Sequence, residues 1–228
     1  MSSIKTALIA GATGLVGSSL LQQLLKTNYY SKIIVLVRKP IAVEDSRVLQ
    51  LVVDYDKLEN YAAQIIADDV YCTLGTTIKK AGSKEAFKKV DYEYPLVLGK
   101  IAKQNGAQKF LIVTALGSDV KSPIFYNKVK GEIENELKSL QFSNLFIFQP
   151  SLLVGDRQEN RLGEKVAIVA SKVFNHLLFG SLKKYRSINI EAVAFGMIRA
   201  ARHFQEKIRV IISDEIQEIY NHNQPNNK

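Results

Sequence analysis

The sequence has little of what builds covalent or metal scaffolds. Its 228 residues include one cysteine and three histidines. A single thiol excludes an intramolecular disulfide and a cysteine-built zinc site. His176, His203 and His222 stand far apart, without metal-ligand spacing. Cys72 sits in the apolar run DVYCTLG, where a buried, inert thiol is expected. No run of about 20 apolar residues is present, so no membrane span is expected. The N-terminal stretch KTALIAGATGLVGSSLLQQLL has the basic and apolar parts of a secretion signal. Its evenly spaced glycines and its polar Ser18, Ser19, Gln22 and Gln23 fit a strand, a turn and an amphipathic helix better. These readings place the protein in the cytoplasm.

Acidic residues are fewer than basic ones, 22 against 31, giving a formal charge of +9. Such a surface attracts anions, whether nucleic acid, lipid or a phosphorylated small molecule. The basic residues are dispersed over IKKAGSKEAFKK, KKYR and RAARHFQEKIR. They form no stripe, and none shows the interleaved aromatics of a single-strand binder, which argues against nucleic acid.

What is present is an alternation of strands and helices. IKTALIA, KIIVLV, RVLQLVV, DVYCTL, KFLIVTAL, NLFIFQ and IRVIIS read as strands. The intervening helices include LVGSSLLQQLLK, YEYPLVLGKIAKQNG, the stretch from Tyr126, and NIEAVAFGMIRAARHF. Continuous Val/Ile-rich strands alternating with helices predict a mostly parallel sheet covered on both faces, the doubly wound α/β class or Rossmann fold. We expect one domain over residues 1–228. Residues 150–190 are expected to form a small C-terminal lobe on the substrate side, and 221–228 a frayed tail.

IAGATGLVGSSL places Gly11, Gly14 and Gly17 between the first strand and its helix. A diphosphate rests on a helix N-terminus only where no side chain intervenes. Gly11 is expected to make the turn, Gly14 to admit the pyrophosphate, and Gly17 to let the helix pack on the sheet. Ala12, Thr13, Leu15 and Val16 complete the loop. The absence of a following Gly-Lys-Ser/Thr excludes a nucleoside triphosphate P-loop. After the second strand stand Arg38 and Lys39. A guanidinium grips a 2′-phosphate bidentately, which favours NADP(H) over NAD(H). Asp54, after the third strand, reads equally as an adenine-edge ligand or a loop cap.

SPIFYNKVKGEIENEL puts Tyr126 four residues before Lys130. With ten tyrosines in a lysine-rich chain this spacing arises readily by chance, yet no other tyrosine has it. At about 100° per residue, Val129, Ile133, Leu137 and Leu140 form an apolar stripe. Tyr126 falls within that stripe and Lys130 on its edge, whereas Lys128 points away. A nearby ammonium stabilises tyrosinate and draws the phenol toward proton transfer. Thr114, ending the fifth strand, is placed to hydrogen-bond a substrate carbonyl, with Ser118 as the competing hydroxyl.

The glycine loop, the hydroxyl ending the fifth strand and Tyr-x-x-x-Lys resemble the short-chain dehydrogenase/reductase superfamily. CTLGTT, YNKVKGEIE and PSLLVGDRQENRLGE resemble, more narrowly, its atypical group of Tat-interacting oxidoreductases. That resemblance implies Tyr126 as proton donor, Lys130 as its partner and ribose ligand, and Thr114 as the substrate-orienting hydroxyl. The superfamily usually has serine where Thr114 stands. Leu74, Gly75 and Thr76 would line the cofactor, and Pro150 to Leu153 would face the nicotinamide. Arg157 and Arg161 read either as a clamp for an anionic substrate or as ion-pair partners of Asp156, Glu159 and Glu164. The implied function is NADP(H)-dependent hydride transfer on a small carbonyl/alcohol substrate, by a monomer or homodimer. The alternative is an NADP(H)-binding sensor that retains the pocket and engages a protein partner.

Overall fold

The computed structural model describes residues 5–155 and 180–223. Seven parallel strands form its main sheet: β1 (Thr6–Ala10), β2 (Lys32–Val37), β3 (Val48–Val52), β4 (Asp69–Cys72), β5 (Lys109–Val113), β6 (Asn144–Gln149) and, last in sequence, β9 (Ile208–Ile212). Their spatial order is β3-β2-β1-β4-β5-β6-β9. The chain moves outward from β1 through β2 to β3, then crosses back to place β4 on the other side of β1. At such a reversal the loops leaving the two central strands diverge and leave a crevice at the carboxyl edge of the sheet. The doubly wound class expected from the sequence is the class observed.

The five central strands, β1, β2, β4, β5 and β6, are buried on both faces, which is why they read as continuous apolar runs, whereas the edge strands β3 and β9 leave Leu49, Val52, Ile208 and Val210 exposed. On one face α1 (Leu15–Leu25) and α6 (Ile190–His203) cover the sheet. Val16, Leu20 and Leu24 join Val193 and Met197 over Ile9, Val35, Leu111 and Phe146. On the other, α4 (Tyr94–Gln104) and α5 (Phe125–Ser139) contribute Leu98, Ile101, Ile133 and Leu137 over Leu8, Val70, Phe110 and Ile112. A last helix, α7 (Ser213–Asn221), follows β9. It carries regular structure past the expected start of the tail, through Asn221; residues 224–228 lie outside the described ones.

Two regions depart from the sequence reading. Residues 55–64 form 3-10 turns, and the basic run after β4 folds into α2 (Ile78–Ala81) and α3 (Lys84–Lys88). Between α3 and α4 the chain widens into one π-helical turn, Lys89–Glu93, which carries the buried Asp91. Isolated π turns inside helical stretches are frequent at functional sites. Of the segment expected as a lobe, the described part is a two-stranded ladder, β7 (Leu153–Val154) with β8 (Ile188–Asn189), and a 3-10 helix, Gly180–Tyr185. The rest of that segment, residues 156–179, lies outside the described residues.

Helix α5 is held against the loop following β5 by Gly131. A Cβ there would stand 2.8 Å from Asp119 Cα and overlap the Asp119–Val120 peptide. Alanine is the better helix former by about 1 kcal/mol. Overpacking of this backbone contact reverses the sign, so Gly131→Ala is expected to destabilise the protein by about 1–3 kcal/mol in urea unfolding. A neutral or stabilised variant would show that α5 does not seat on this loop.

Candidate functional site

The carboxyl edges of β1, β4 and β5 open onto a cavity of about 260 Å³. Its lining comes from the glycine turn (Gly14, Leu15, Val16), the β4 loop (Thr73–Thr77), Lys80, Asp91, Thr114, Tyr126, Lys130 and Leu153, with Val113 beneath. Residues far apart in sequence converge because every one of them follows a strand at the same edge or faces that edge from a helix.

The three glycines do different work. Gly11 has φ +92°, and a Cβ there would stand 2.7 Å from the Thr73 carbonyl oxygen. At Gly17 a Cβ would overlap the Gly11 carbonyl. These two positions are closed by the protein itself. At Gly14 the nearest atom to a Cβ would be the Gly11 oxygen at 3.2 Å, and the residue lines the cavity. Gly14 is also the N-cap of α1, where no side chain caps the helix and no acidic residue occupies the first turn. Free first-turn N–H groups and the positive end of the helix dipole suit an anionic diphosphate. The residues present therefore fit a dinucleotide. Ala12 is buried in the core and Thr13 is exposed; they shape the turn without lining the cavity.

Lys130 is not at the edge of the helix stripe; it is 3% exposed. Its ammonium meets Asp91 Oδ1 at 2.7 Å, and the other Asp91 oxygen accepts the Thr76 N–H at 2.9 Å. Burial alone would lower the ammonium's pKa. Asp91, and to a smaller extent Tyr126, outweigh it and hold Lys130 above its ordinary value. Burial raises the Asp91 carboxyl against the opposing Lys130 charge. The ionised pair is the state that its geometry supports. Gly75 fits over it: a Cβ there would lie 3.5 Å from Asp91 and 3.9 Å from Lys130 Nζ. Tyr126, half-buried, has its ring 5.4 Å from that of Phe87 in α3 and lines the same cavity. Lys128 is exposed, as expected.

Thr114 is buried one residue beyond β5, and its hydroxyl lies 2.6 Å from Glu134 Oε1. Glu134 is buried beside it and accepts both remaining bonds from Gln149 Nε2, at 2.9 and 3.0 Å. The expectation that Thr114 offers its hydrogen to a substrate carbonyl is thus corrected, because that hydrogen already has a carboxylate partner. Ser118 donates to the Ala115 carbonyl at 2.6 Å and makes a turn. Sequence reasoning missed both Asp91 and Glu134. Glu134 had a signal, since residues 126, 130 and 134 follow one another at four-residue steps along a single helix face. Asp91 had none.

Other expected site residues fall elsewhere. Asp54 accepts the Asp56 N–H at 3.0 Å and caps the following 3-10 turn, the second of its two readings. Arg38 is exposed just past β2 and outside the cavity lining. Pro150 is buried, with its carbonyl taken by the Leu116 N–H at 2.9 Å, so Leu153 alone of that segment lines the cavity. Arg157 and Arg161 lie outside the described residues. Cys72 is buried, and burial pushes its thiol up to about 12, so it is inert as expected. Among the described residues no cluster suits a metal ion, and no helix is long and apolar enough to cross a membrane.

Sheet order, glycine turn and helix face together define an NAD(P)-binding Rossmann protein of the short-chain dehydrogenase/reductase kind, of its atypical branch. A family profile described as HIM1 matches residues 53–186, more than half of the chain, and one described as male sterility protein matches residues 9–77. The chain belongs to the HIM1 family. Protein HTATIP2 of Rattus norvegicus is 39% identical over 72% of this chain and 69% of its own length. Protein FMP52, mitochondrial, of Eremothecium gossypii is 31% identical over 92% and 95% respectively. Among solved structures, MoeE5 in complex with UDP-glucose and NAD superposes with a TM-score of 0.70 at 12% identity, covering 95% of this chain and 81% of that one. A UDP-glucose 4-epimerase from Thermotoga maritima gives 0.69 at 17%, covering 96% and 84%. At such identities these two show the fold alone.

One expectation is overturned by these relatives. The fungal FMP52 proteins are named as mitochondrial, which points to mitochondria rather than the cytoplasm. Composition and the lack of an apolar span are the same in a water-filled organelle and in the cytosol, so they could not have separated the two.

The ion pair yields a test. Removing Asp91 leaves a buried ammonium without a partner, which typically costs about 3–5 kcal/mol. Asp91→Ala should lower stability by about that amount at neutral pH. In the variant, burial depresses the lysine pKa below its unfolded value, so the unfolded state binds more protons. Stability should then recover as pH rises toward the unfolded lysine pKa. Urea titrations at neutral and alkaline pH measure this; an equal deficit at both would show that Lys130 reaches solvent in the variant.

Proposed function

We propose that this protein is an NADP(H)-dependent oxidoreductase that moves a hydride between the nicotinamide and a small carbonyl/alcohol substrate. The observation that carries the reading is the convergence of Gly14, Thr114, Tyr126 and Lys130 on one cavity. When bound, the nicotinamide would supply or accept the hydride. Gly11 to Val16 would hold the diphosphate, with Leu74, Gly75 and Thr76 beside it. Tyr126 is the proton donor or acceptor, since its phenol lines the cavity from α5. Lys130 holds positive charge next to that phenol and offers a hydrogen bond to a ribose. Leu153 stands on the side of the cavity that we assign to the substrate, and Arg157 and Arg161 are, by their chemistry alone, candidates for gripping an anionic group.

The preference for the phosphorylated nucleotide rests on Arg38 alone. It leaves β2 exposed and without an ion-pair partner among the described residues. We expect NADPH to bind at least about tenfold more tightly than NADH, roughly 1.4 kcal/mol, and Arg38→Asp to narrow or reverse the gap. Equal affinities for the two nucleotides in calorimetry of the wild type would remove the assignment.

A second reading is favoured by the Asp91–Lys130 pair. An ammonium already neutralised at 2.7 Å stabilises a tyrosinate less than a free one. This suits a protein that binds the nucleotide, turns over slowly and signals its occupancy to a protein partner. The two readings part at Tyr126. In the enzyme, Tyr126→Phe should lower the rate across a carbonyl panel by about 10²-fold or more while leaving NADPH affinity nearly unchanged. Lys128→Met, on the exposed face, should change neither. Equal turnover by wild type and Tyr126→Phe would sink the catalytic role of the phenol.

A further inference from the structure

The buried trio Thr114, Glu134 and Gln149 has a directional consequence. A threonine hydroxyl has one hydrogen to give and two lone pairs to receive. Thr114 Oγ1 stands 2.6 Å from Glu134 Oε1 and 3.4 Å from the Phe148 carbonyl, the other acceptor in reach. Gln149 Nε2 donates to both Glu134 oxygens, at 2.9 and 3.0 Å, the arrangement of an ionised, accept-only carboxylate. With the carboxylate able only to accept, the hydrogen of the 2.6 Å bond belongs to Thr114. It points toward Glu134, which does not line the cavity, so toward the cavity that Thr114 lines the same oxygen has lone pairs and no hydrogen to offer.

We propose that Glu134 is a positioning residue that fixes Thr114 as a hydrogen-bond acceptor, so that at this point the cavity takes a group bearing an O–H donor: the alcohol member of a carbonyl/alcohol pair rather than the bare carbonyl. The sense of the ligand rests on the oxidoreductase reading above; the direction of the Thr114–Glu134 bond does not. Burial raises the Glu134 carboxyl from its ordinary range, while Thr114 and Gln149 act to keep it ionised, with smaller help from the Lys138 charge. Lys130 lies one helical turn away, but its charge is taken by Asp91. Glu134 also lies outside the cavity lining, so it acts through Thr114 and not on the ligand itself.

Carbon-13 NMR of the full-length, cofactor-free protein labelled at glutamate carboxyls tests the bond. Glu134 is identified by the signal lost in Glu134→Gln. We expect a carboxylate at neutral pH whose midpoint rises by about one pH unit in Thr114→Val and returns in Thr114→Ser. Where Thr114→Val fails to fold, the deuterium isotope shift of the same carbon in wild type reads the hydroxyl hydrogen directly. A protonated Glu134 at neutral pH, a midpoint indifferent to Thr114→Val, or an absent isotope shift overturns the proposal. The ligand's polarity is read from the Thr114 methyl signal as cyclohexanol and cyclohexanone are titrated in. A larger response to the alcohol supports the proposal; an equal response, or none, overturns its ligand half. Absence of NADPH-dependent turnover alongside an intact Thr114–Glu134 bond would strike the oxidoreductase reading alone.

Discussion

The interaction on which the site depends is the buried contact between Lys130 and Asp91. It joins three pieces of chain: α5, the π-helical turn ahead of α4, and the loop after β4. A charge at that depth is tolerable only with a partner of opposite sign and satisfied hydrogen bonds. Asp91 meets both needs, spending one oxygen on the ammonium and the other on the Thr76 N–H. Gly75 leaves room over the pair. The cavity wall opposite the glycine turn is therefore set by electrostatics as much as by apolar packing.

Helix α5 presents three polar groups to the interior at four-residue steps, and each has a different environment. Tyr126 opens onto the cavity, Lys130 is neutralised by Asp91, and Glu134 is sealed behind Thr114 and Gln149. Ordinary helices keep such groups on the solvent face. Here the two fully buried groups each have partners, Asp91 for Lys130 and Thr114 with Gln149 for Glu134, and the cost of losing one makes the geometry rigid. Rigidity of this kind is what a site needs to hold reacting groups in register.

The glycine turn shows the same division between structure and ligand. Gly11 and Gly17 are demanded by the protein, since a Cβ at either would collide with backbone. Gly14 faces the cavity, and a Cβ there would come no nearer to the protein than 3.2 Å, at the Gly11 oxygen. The spacing G-x-x-G-x-x-G describes all three alike, and only their surroundings distinguish them.

By itself the sequence determined the doubly wound class, the glycine turn and the face of α5 that holds Tyr126. These follow from local rules: period, propensity and turn chemistry act over a few residues and are written in consecutive letters. It also marked Thr114, because a hydroxyl ending an apolar strand stands out. Tertiary structure alone decided what those groups touch. Asp91 reaches Lys130 across 39 positions of chain, through a π turn that no periodicity announces. Glu134 takes the Thr114 hydrogen across 20 positions, reversing the sense in which that hydroxyl was expected to act. The Pro150 carbonyl went to the Leu116 N–H, 34 positions away, for the same reason, whereas Asp54 caps a turn only two residues on, a local bond. A side chain's partner is chosen by the folding of distant strands to one edge, and ionised groups buried there accept whichever partner arrives, since remaining unpaired costs more than any local preference can offset.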